Sequence, residues 1–259
     1  MTRSRHSQEL REKLDFVMAP ASAAARAFWT HPQLAELLPE YLITVHSWAR
    51  ATVSLLEAAR TCATGRAATD SVAAGLAPYL AKHIPEELRH DEWFLEDLET
   101  LGIPRERVLA RIPSPSVAAM VGSQYYWVLH IHPVALLGFL VVLEGYPASA
   151  TELEAVIART RLSRRAFRTL LEHSDLDRGH RDELFETLDG LPLTLQQSSL
   201  IAVSAFTTLH FVTCALEEVL QLVPHLELGG RSASKPARAA RTRVTSPARA
   251  ASGSLRNTR

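Results

Sequence analysis

An all-α fold is predicted by three features of the chain. Apolar residues recur at intervals of three and four along most of its length, as one buried face of a helix requires. Proline and glycine punctuate these segments, and no stretch sustains the apolar–polar alternation with β-branched enrichment that marks a strand.

In chain order the spacing predicts helices over residues 6–29, 32–38, 39–62, 70–99, 104–110, 115–129, 133–146, 151–158, 163–173 continuing to 189, and 193–223. Pro32, Pro39, Pro104, Pro115 and Pro133 each open a segment, where a missing backbone N–H costs nothing. The segment 133–146 contains the longest apolar run, VALLGFLVVL at 134–143, which reads as a buried core helix. That run is too short to cross a bilayer, and the charged start MTRSRHSQELREKLDF lacks the apolar region of a signal peptide. Residues 1–228 are read as one helical domain with no internal repeat.

The chain has 259 residues, 47% of them hydrophobic and 22% charged, enough for one sizeable core. Its zero net charge hides an asymmetry. Residues 231–259 carry Lys235 and seven arginines with no acid, so the preceding body holds 20 basic residues against 28 acidic. The stretch 229–259, rich in Ala, Arg, Ser, Gly and Pro, cannot bury enough surface to offset its ordering entropy and is expected to be a disordered basic tail. It lacks the interleaved aromatics of a nucleic-acid arm, so no specific nucleic-acid partner is expected. Cys62 and Cys214 stand far apart without CxxC spacing, which argues against a disulfide framework or zinc ribbon and fits a reducing cytoplasm.

Three segments carry candidate chemistry. In YLAKHIPEELRHDEWFLEDLE, His83, Glu87 and His90 fall at i, i+4 and i+7 on one predicted helical face. Glu87 and His90 form the Glu-x-x-His pair that lets a carboxylate and an imidazole reach one metal in helical di-iron proteins. A solvated acidic face is the plainer reading of that pair alone. Glu144 closes the apolar run at 134–143, where an ionised carboxylate must meet water, a basic partner or a metal. In FRTLLEHSDLDRGHRDELFETL, His173, Asp177 and His180 continue to Leu184 as one stripe, either a metal-binding edge or a charged surface. Nitrogen and carboxylate donors without sulfur suit iron or manganese better than structural zinc.

The segments EELRHDEWFLEDLETLG, HPVALLGFLVVLEG and the His-x3-Asp-x2-His of HSDLDRGH, in this order and at these separations, resemble the haem-oxygenase-like di-iron oxidases and oxygenases, the iron-containing redox enzymes. The resemblance spans roughly residues 30 to 222. It implies a haem-oxygenase-like multi-helix bundle with two Fe(II) ions between core helices, O2 as cosubstrate and a small organic substrate, such as an amino acid, fatty acid or biosynthetic intermediate. Carried over by position, Glu87, His90, Glu144, His173, Asp177 and His180 would be metal ligands, with His83 and Glu57 as further candidates. The departure lies in the first core helix, YLITVHSWARATVSLLEAAR, where many members supply a glutamate and this chain shows His46, Arg50 and, two turns later, Glu57. His46 and Arg50 are candidates for the substrate pocket, Arg50 as the partner of a substrate carboxylate. Tyr125, Tyr126 and Trp127 are either pocket wall or core.

Two other readings stay open: a metal-free relative resembling thiaminase II or the cofactorless quinone-forming oxidase, and a non-enzymatic helical binding protein. Haem is disfavoured, because a proximal histidine and an apolar slot would leave His173, Asp177 and His180 without a purpose. The chain shows no flavin or nicotinamide fingerprint, so an electron donor would be external. A homodimer is the default expectation for a helical enzyme of this kind.

Overall fold

The computed structural model describes residues 5–146 and 149–222, without the side chains of residues 175–178. The predicted tail at 229–259 lies outside the described residues. Eleven α-helices follow one another among the described residues, with no strand: α1 (His6–Val17), α2 (Ala19–Trp29), α3 (Leu34–Arg66), α4 (Ser71–Glu87), α5 (His90–Thr100), α6 (Arg105–Leu109), α7 (Pro115–Tyr126), α8 (Leu136–Glu144), α9 (Ala150–Thr160), α10 (Arg168–Gly190) and α11 (Leu195–Leu220). A π-helical turn at Trp127–Ile131 and a 3-10 turn at Pro133–Ala135 join α7 to α8, and a second 3-10 turn at Arg164–Phe167 leads into α10.

The all-α expectation holds, and its boundaries shift where proline was read too simply. The segments 32–38 and 39–62 are one helix, α3, with Pro39 inside it. The ring removes one hydrogen bond to the preceding turn, but Leu37, Leu38 and Leu42 are fully buried around it and hold the helix together. The reverse error occurs at 6–29, which breaks at Met18 between α1 and α2. The break with most consequence divides 70–99. α4 carries Pro85 in its last turn and ends at Glu87, Leu88 is extended, and Arg89 adopts a left-handed conformation at φ 76° before α5 starts at His90.

α3 is the spine of the bundle. One of its faces joins a core with α4, α8, α10 and α11 through Leu55, Leu56 and Ala59, and the other joins α5 through Leu38, Leu42 and Val45. α11 crosses α8 so closely that a methyl group on Gly138 would lie 2.3 Å from the Ile201 carbonyl oxygen and 2.7 Å from the Ala205 nitrogen. Contrary to the sequence expectation, one segment is long and apolar enough to cross a membrane by composition: α11, with a mean hydropathy of 1.7. Scattered serines, threonines and glutamines hide that apolarity from a search for unbroken runs. In the fold this helix buries Ile201, Ala202, Ala205 and Leu209 against the bundle.

The start of α4 and the approach to α8 are tied together. Asp70 accepts hydrogen bonds from the Val72 and Ala73 backbone N–H groups as the cap of α4, and from His132 Nε2 at 2.8 Å. The other ring nitrogen of His132 accepts from the Val134 N–H.

Gly138→Ala is expected to destabilise the fold by about 3 kcal/mol, because the added carbon meets backbone that cannot rotate aside. Urea unfolding followed by circular dichroism checks it; an unchanged midpoint would show that α8 and α11 are not in close contact.

Candidate metal centre

Four helices deliver the candidate side chains, most of them near a helix end or a break. α4 contributes His83, Glu86 and Glu87 from its last turns, α5 contributes His90 as its first residue, α8 contributes Glu144 as its last, and α10 contributes His173 and His180. The left-handed Arg89 is what brings Glu87 and His90 together. Their positions i and i+3 fall on two different helices, not on one face as the sequence suggested, yet His90 Nδ1 lies 3.2 Å from Glu87 Oε2. The two are within ion-pair distance but not aligned for a hydrogen bond.

Glu144 is buried at the end of the apolar α8 and meets His83, whose Nε2 is 3.1 Å from Glu144 Oε1. His83 Nδ1 faces Glu86 Oε2 at 3.4 Å. His180 bridges the two glutamates of α4, with Nδ1 3.8 Å from Glu87 Oε1 and Nε2 3.9 Å from Glu86 Oε2. Its ring meets that of His83 edge-on at 5.2 Å. Two turns earlier on α10, His173 packs edge-on against His90 at 4.8 Å. Its Nδ1–H donates to the Thr169 carbonyl at 2.8 Å, which leaves Nε2 as the free lone pair. The Asp177 side chain lies outside the described residues.

The position of α10 is itself held from α5. Asp97, buried, accepts the Thr169 backbone N–H at 2.9 Å and so serves the N-terminus of a helix that has no capping side chain of its own. Sequence reading missed Asp97 because it caps a helix some seventy residues away.

The electrostatics follow from crowding imidazoles and carboxylates out of water. Burial opposes charge on His83, but Glu144, Glu87 and Glu86 around it push its imidazole up to about 9. Burial pushes the Glu144 carboxyl up, and the His83 hydrogen bond only partly offsets this. Burial also works against charge on Glu87, yet His90, His83 and His173 hold its carboxyl below the usual range. Burial holds His173 down, so its imidazole stays neutral.

Glu87, His90, Glu144 and His173 line one wall of a cavity of about 260 Å³. Its other walls are Trp29, Tyr41, Trp48, Phe94, Leu140 and Leu143 and their neighbours. α3 contributes Tyr41, Val45, Trp48, Ala49 and Thr52 to this lining, and several sequence expectations fail here. Glu57 is exposed and points away from the cavity, so it does not supply the first-helix carboxylate. Arg50 is exposed and His46, though buried, lies off the cavity wall; both sit on the α3 face turned from the Tyr41, Trp48 and Thr52 stripe. Tyr125, Tyr126 and Trp127 lie on and just after α7 and do not line the cavity either. No lysine or arginine lines it among the described residues.

The donor set fits a divalent metal ion on this structure's own terms. Glu144 Oε2, His90 Nδ1 and His180 Nδ1 are buried without a hydrogen-bond partner, a costly condition that a cation between them would relieve. Hard oxygen and imidazole donors suit iron or manganese.

The family described as iron-containing redox enzyme, haem-oxygenase type, matches the chain over residues 46–210. Among solved structures, a domain of unknown function with a heme oxygenase-like fold from Shewanella denitrificans superposes with a TM-score of 0.71 at 18% identity, covering 86% of this chain and 93% of that one. A TenA homolog from Pseudomonas syringae pv. tomato superposes with a TM-score of 0.64 at 16% identity, covering 83% of this chain and 92% of that one. These likenesses establish the fold. No curated protein matches the chain.

Two predictions follow from the local physics. Arg89→Gly is expected to stabilise the fold by about 1 kcal/mol, since glycine adopts the left-handed region without the Cβ penalty; a lower unfolding midpoint would show that the arginine side chain holds the break. Burial first, then the Arg50 charge, lowers the His46 imidazole to about 4. A group depressed on folding contributes fully above its unfolded value near 6.5, and that contribution is lost as pH falls towards about 4, up to about 3 kcal/mol in all. His46→Leu should flatten stability against pH across that window, and an unchanged slope would contradict the assignment.

Proposed function

Because the chain belongs to the iron-containing redox enzyme family with a haem-oxygenase-like fold, we propose that it is a non-haem iron oxidoreductase that uses O2 to oxidise a small organic substrate held beside Glu144. The observation that carries this reading is the meeting of Glu87, His90, Glu144 and His173 on one wall of an otherwise largely apolar cavity.

Glu87, His90, Glu144, His173, Asp177 and His180 would hold the iron, two ions being the number this donor set suits. Bound iron would supply the electron transfer to dioxygen that no side chain provides. The chain's own residues do the rest. The Thr169 carbonyl fixes the His173 tautomer, so Nε2 is the atom offered to a metal. Trp93 packs against His90 at 4.4 Å between ring centres and limits the ring's rotation. Glu87 and Glu144 keep the site anionic and oxygen-rich. Trp29, Tyr41, Trp48 and Phe94 exclude water and give an apolar substrate a surface to lie on.

The lining also bears on substrate class. With Arg50 outside and no lysine or arginine in the lining among the described residues, the lining favours neutral, apolar molecules over free amino acids. Reducing equivalents would come from an external donor. The metal-free alternative asks the same polar groups to bind substrate directly; the partnerless Glu144 Oε2, His90 Nδ1 and His180 Nδ1 speak for a cation instead.

Anaerobic loading with ferrous iron is expected to give about two ions per chain, a transient absorption on rapid mixing with oxygen, and both lost or halved in His180→Ala. Wild-type protein that retains no more iron than that variant would sink the reading.

A further inference from the structure

The family resemblance leads one to expect a glutamate from the first core helix, and the fold shows that α3 does not supply it. The α3 residues on the cavity are Tyr41, Val45, Trp48, Ala49 and Thr52, and Glu57 faces solvent. On α4, one turn before Glu87, stands a residue with the opposite character: His83, only 2% exposed and surrounded by the candidate ligands. It lies 3.1 Å from Glu144, edge-on to His180, and offers with Glu87 and His180 three ligand-capable atoms within 4.8 Å of one another.

A buried histidine is most often a packing group with one satisfied hydrogen bond. His83 instead has carboxylates at both nitrogens, and the cluster it belongs to keeps two partnerless polar atoms, Glu144 Oε2 and His180 Nδ1. We propose that His83 is a metal ligand in place of the missing α3 carboxylate, completing with Glu87, Glu144 and His180 a second metal position. Glu86 receives a role at the same time. At 3.4 Å from Nδ1, it would keep the proton on that nitrogen once a metal ion takes the place of the proton Nε2 shares with Glu144, as the outer carboxylate that orients a ligating imidazole. A neutral imidazole where a glutamate is expected makes the centre one charge more positive, which favours the divalent over the trivalent state of a bound ion.

The inference rests on the iron-binding reading above, and the test separates the two. Co(II) serves as the probe, added anaerobically to the full chain. The wild type is expected to take up two ions and to show hyperfine-shifted, exchangeable imidazole N–H resonances from four histidines: His83, His90, His173 and His180. In His83→Ala the second ion should bind at least about 100-fold more weakly, with added imidazole restoring it. Four N–H resonances in the wild type support the assignment even if the variant does not fold. Three resonances, or a folded His83→Ala that still binds both ions with wild-type affinity, would overturn it and leave the iron reading standing. A wild type that takes up no Co(II) overturns both.

Discussion

A carboxylate that the fold buries at the end of an apolar helix sets the terms for everything around it. α8 is enclosed from Leu136 to Val142 and Glu144 is itself buried, so its carboxylate is largely withdrawn from bulk water. An unpaired charge there would cost several kcal/mol. The fold meets this cost by bringing groups from two other helices, His83 from α4 and His180 from α10, rather than by omitting the carboxylate. Such an arrangement is a poor way to stabilise a core, because hydrophobic residues of similar volume would serve as well or better. Its presence at the buried end of α8 is therefore an argument from energetics for a ligand that needs it.

Placing these groups demands register between helices, and the structure supplies it at a distance. α4 and the segment leading through α8 are tied twice, by Asp70 with His132 at one end and by His83 with Glu144 at the other. The two ties are separated by thirteen residues along α4, about 20 Å of helix. Asp97 does the same for α10, since its bond to the Thr169 N–H sets the turn whose carbonyl then orients His173. The break at Leu88–Arg89 is a third such device. It costs a left-handed residue and in return turns His90 from the continuation of α4 into the first residue of a new helix aimed at His173.

Helical periodicity is enough to read the all-α class, and the apolar run before Glu144 marks that carboxylate, because buried faces and lone polar groups within them are local in sequence; His90, His173 and His180 read equally as a charged surface until the family resemblance joins them. The joins were less legible. Pro39 and Pro85 look alike in sequence, yet one sits within a continuous helix and the other two residues before a break; neighbouring burial, which is tertiary, decides between them. For the same reason Glu87 and His90 were assigned to one helix face although a kink joins them. Arg50 and Glu57 were chosen by kind of residue, and the face of α3 that meets the cavity is determined by packing against α4 and α5. Tyr41, Trp48 and Thr52 lie on that face at steps of seven and four, a stripe that could have been read had the partner helices been known.

The character of the cavity narrows what the site could act on. Its polar wall is acidic and imidazole-rich, and its remaining walls are mostly aromatic and aliphatic. Several of those residues, Trp29, Tyr41, Trp48, Leu143 and Tyr146, also line a neighbouring apolar hollow between α2, α3 and α11, of about 410 Å³. Neither hollow has a lysine or arginine in its lining among the described residues. An anionic substrate would thus meet carboxylates at one end and no counter-charge at the other, so any attraction would have to come from bound metal. A neutral molecule with an extended apolar portion meets no such penalty: it loses water on entering and rests against aromatic faces that lose theirs. On the proposed function, selectivity would therefore be set by the α3 stripe and its aromatic neighbours, which differ in kind from the polar groups that would hold the metal.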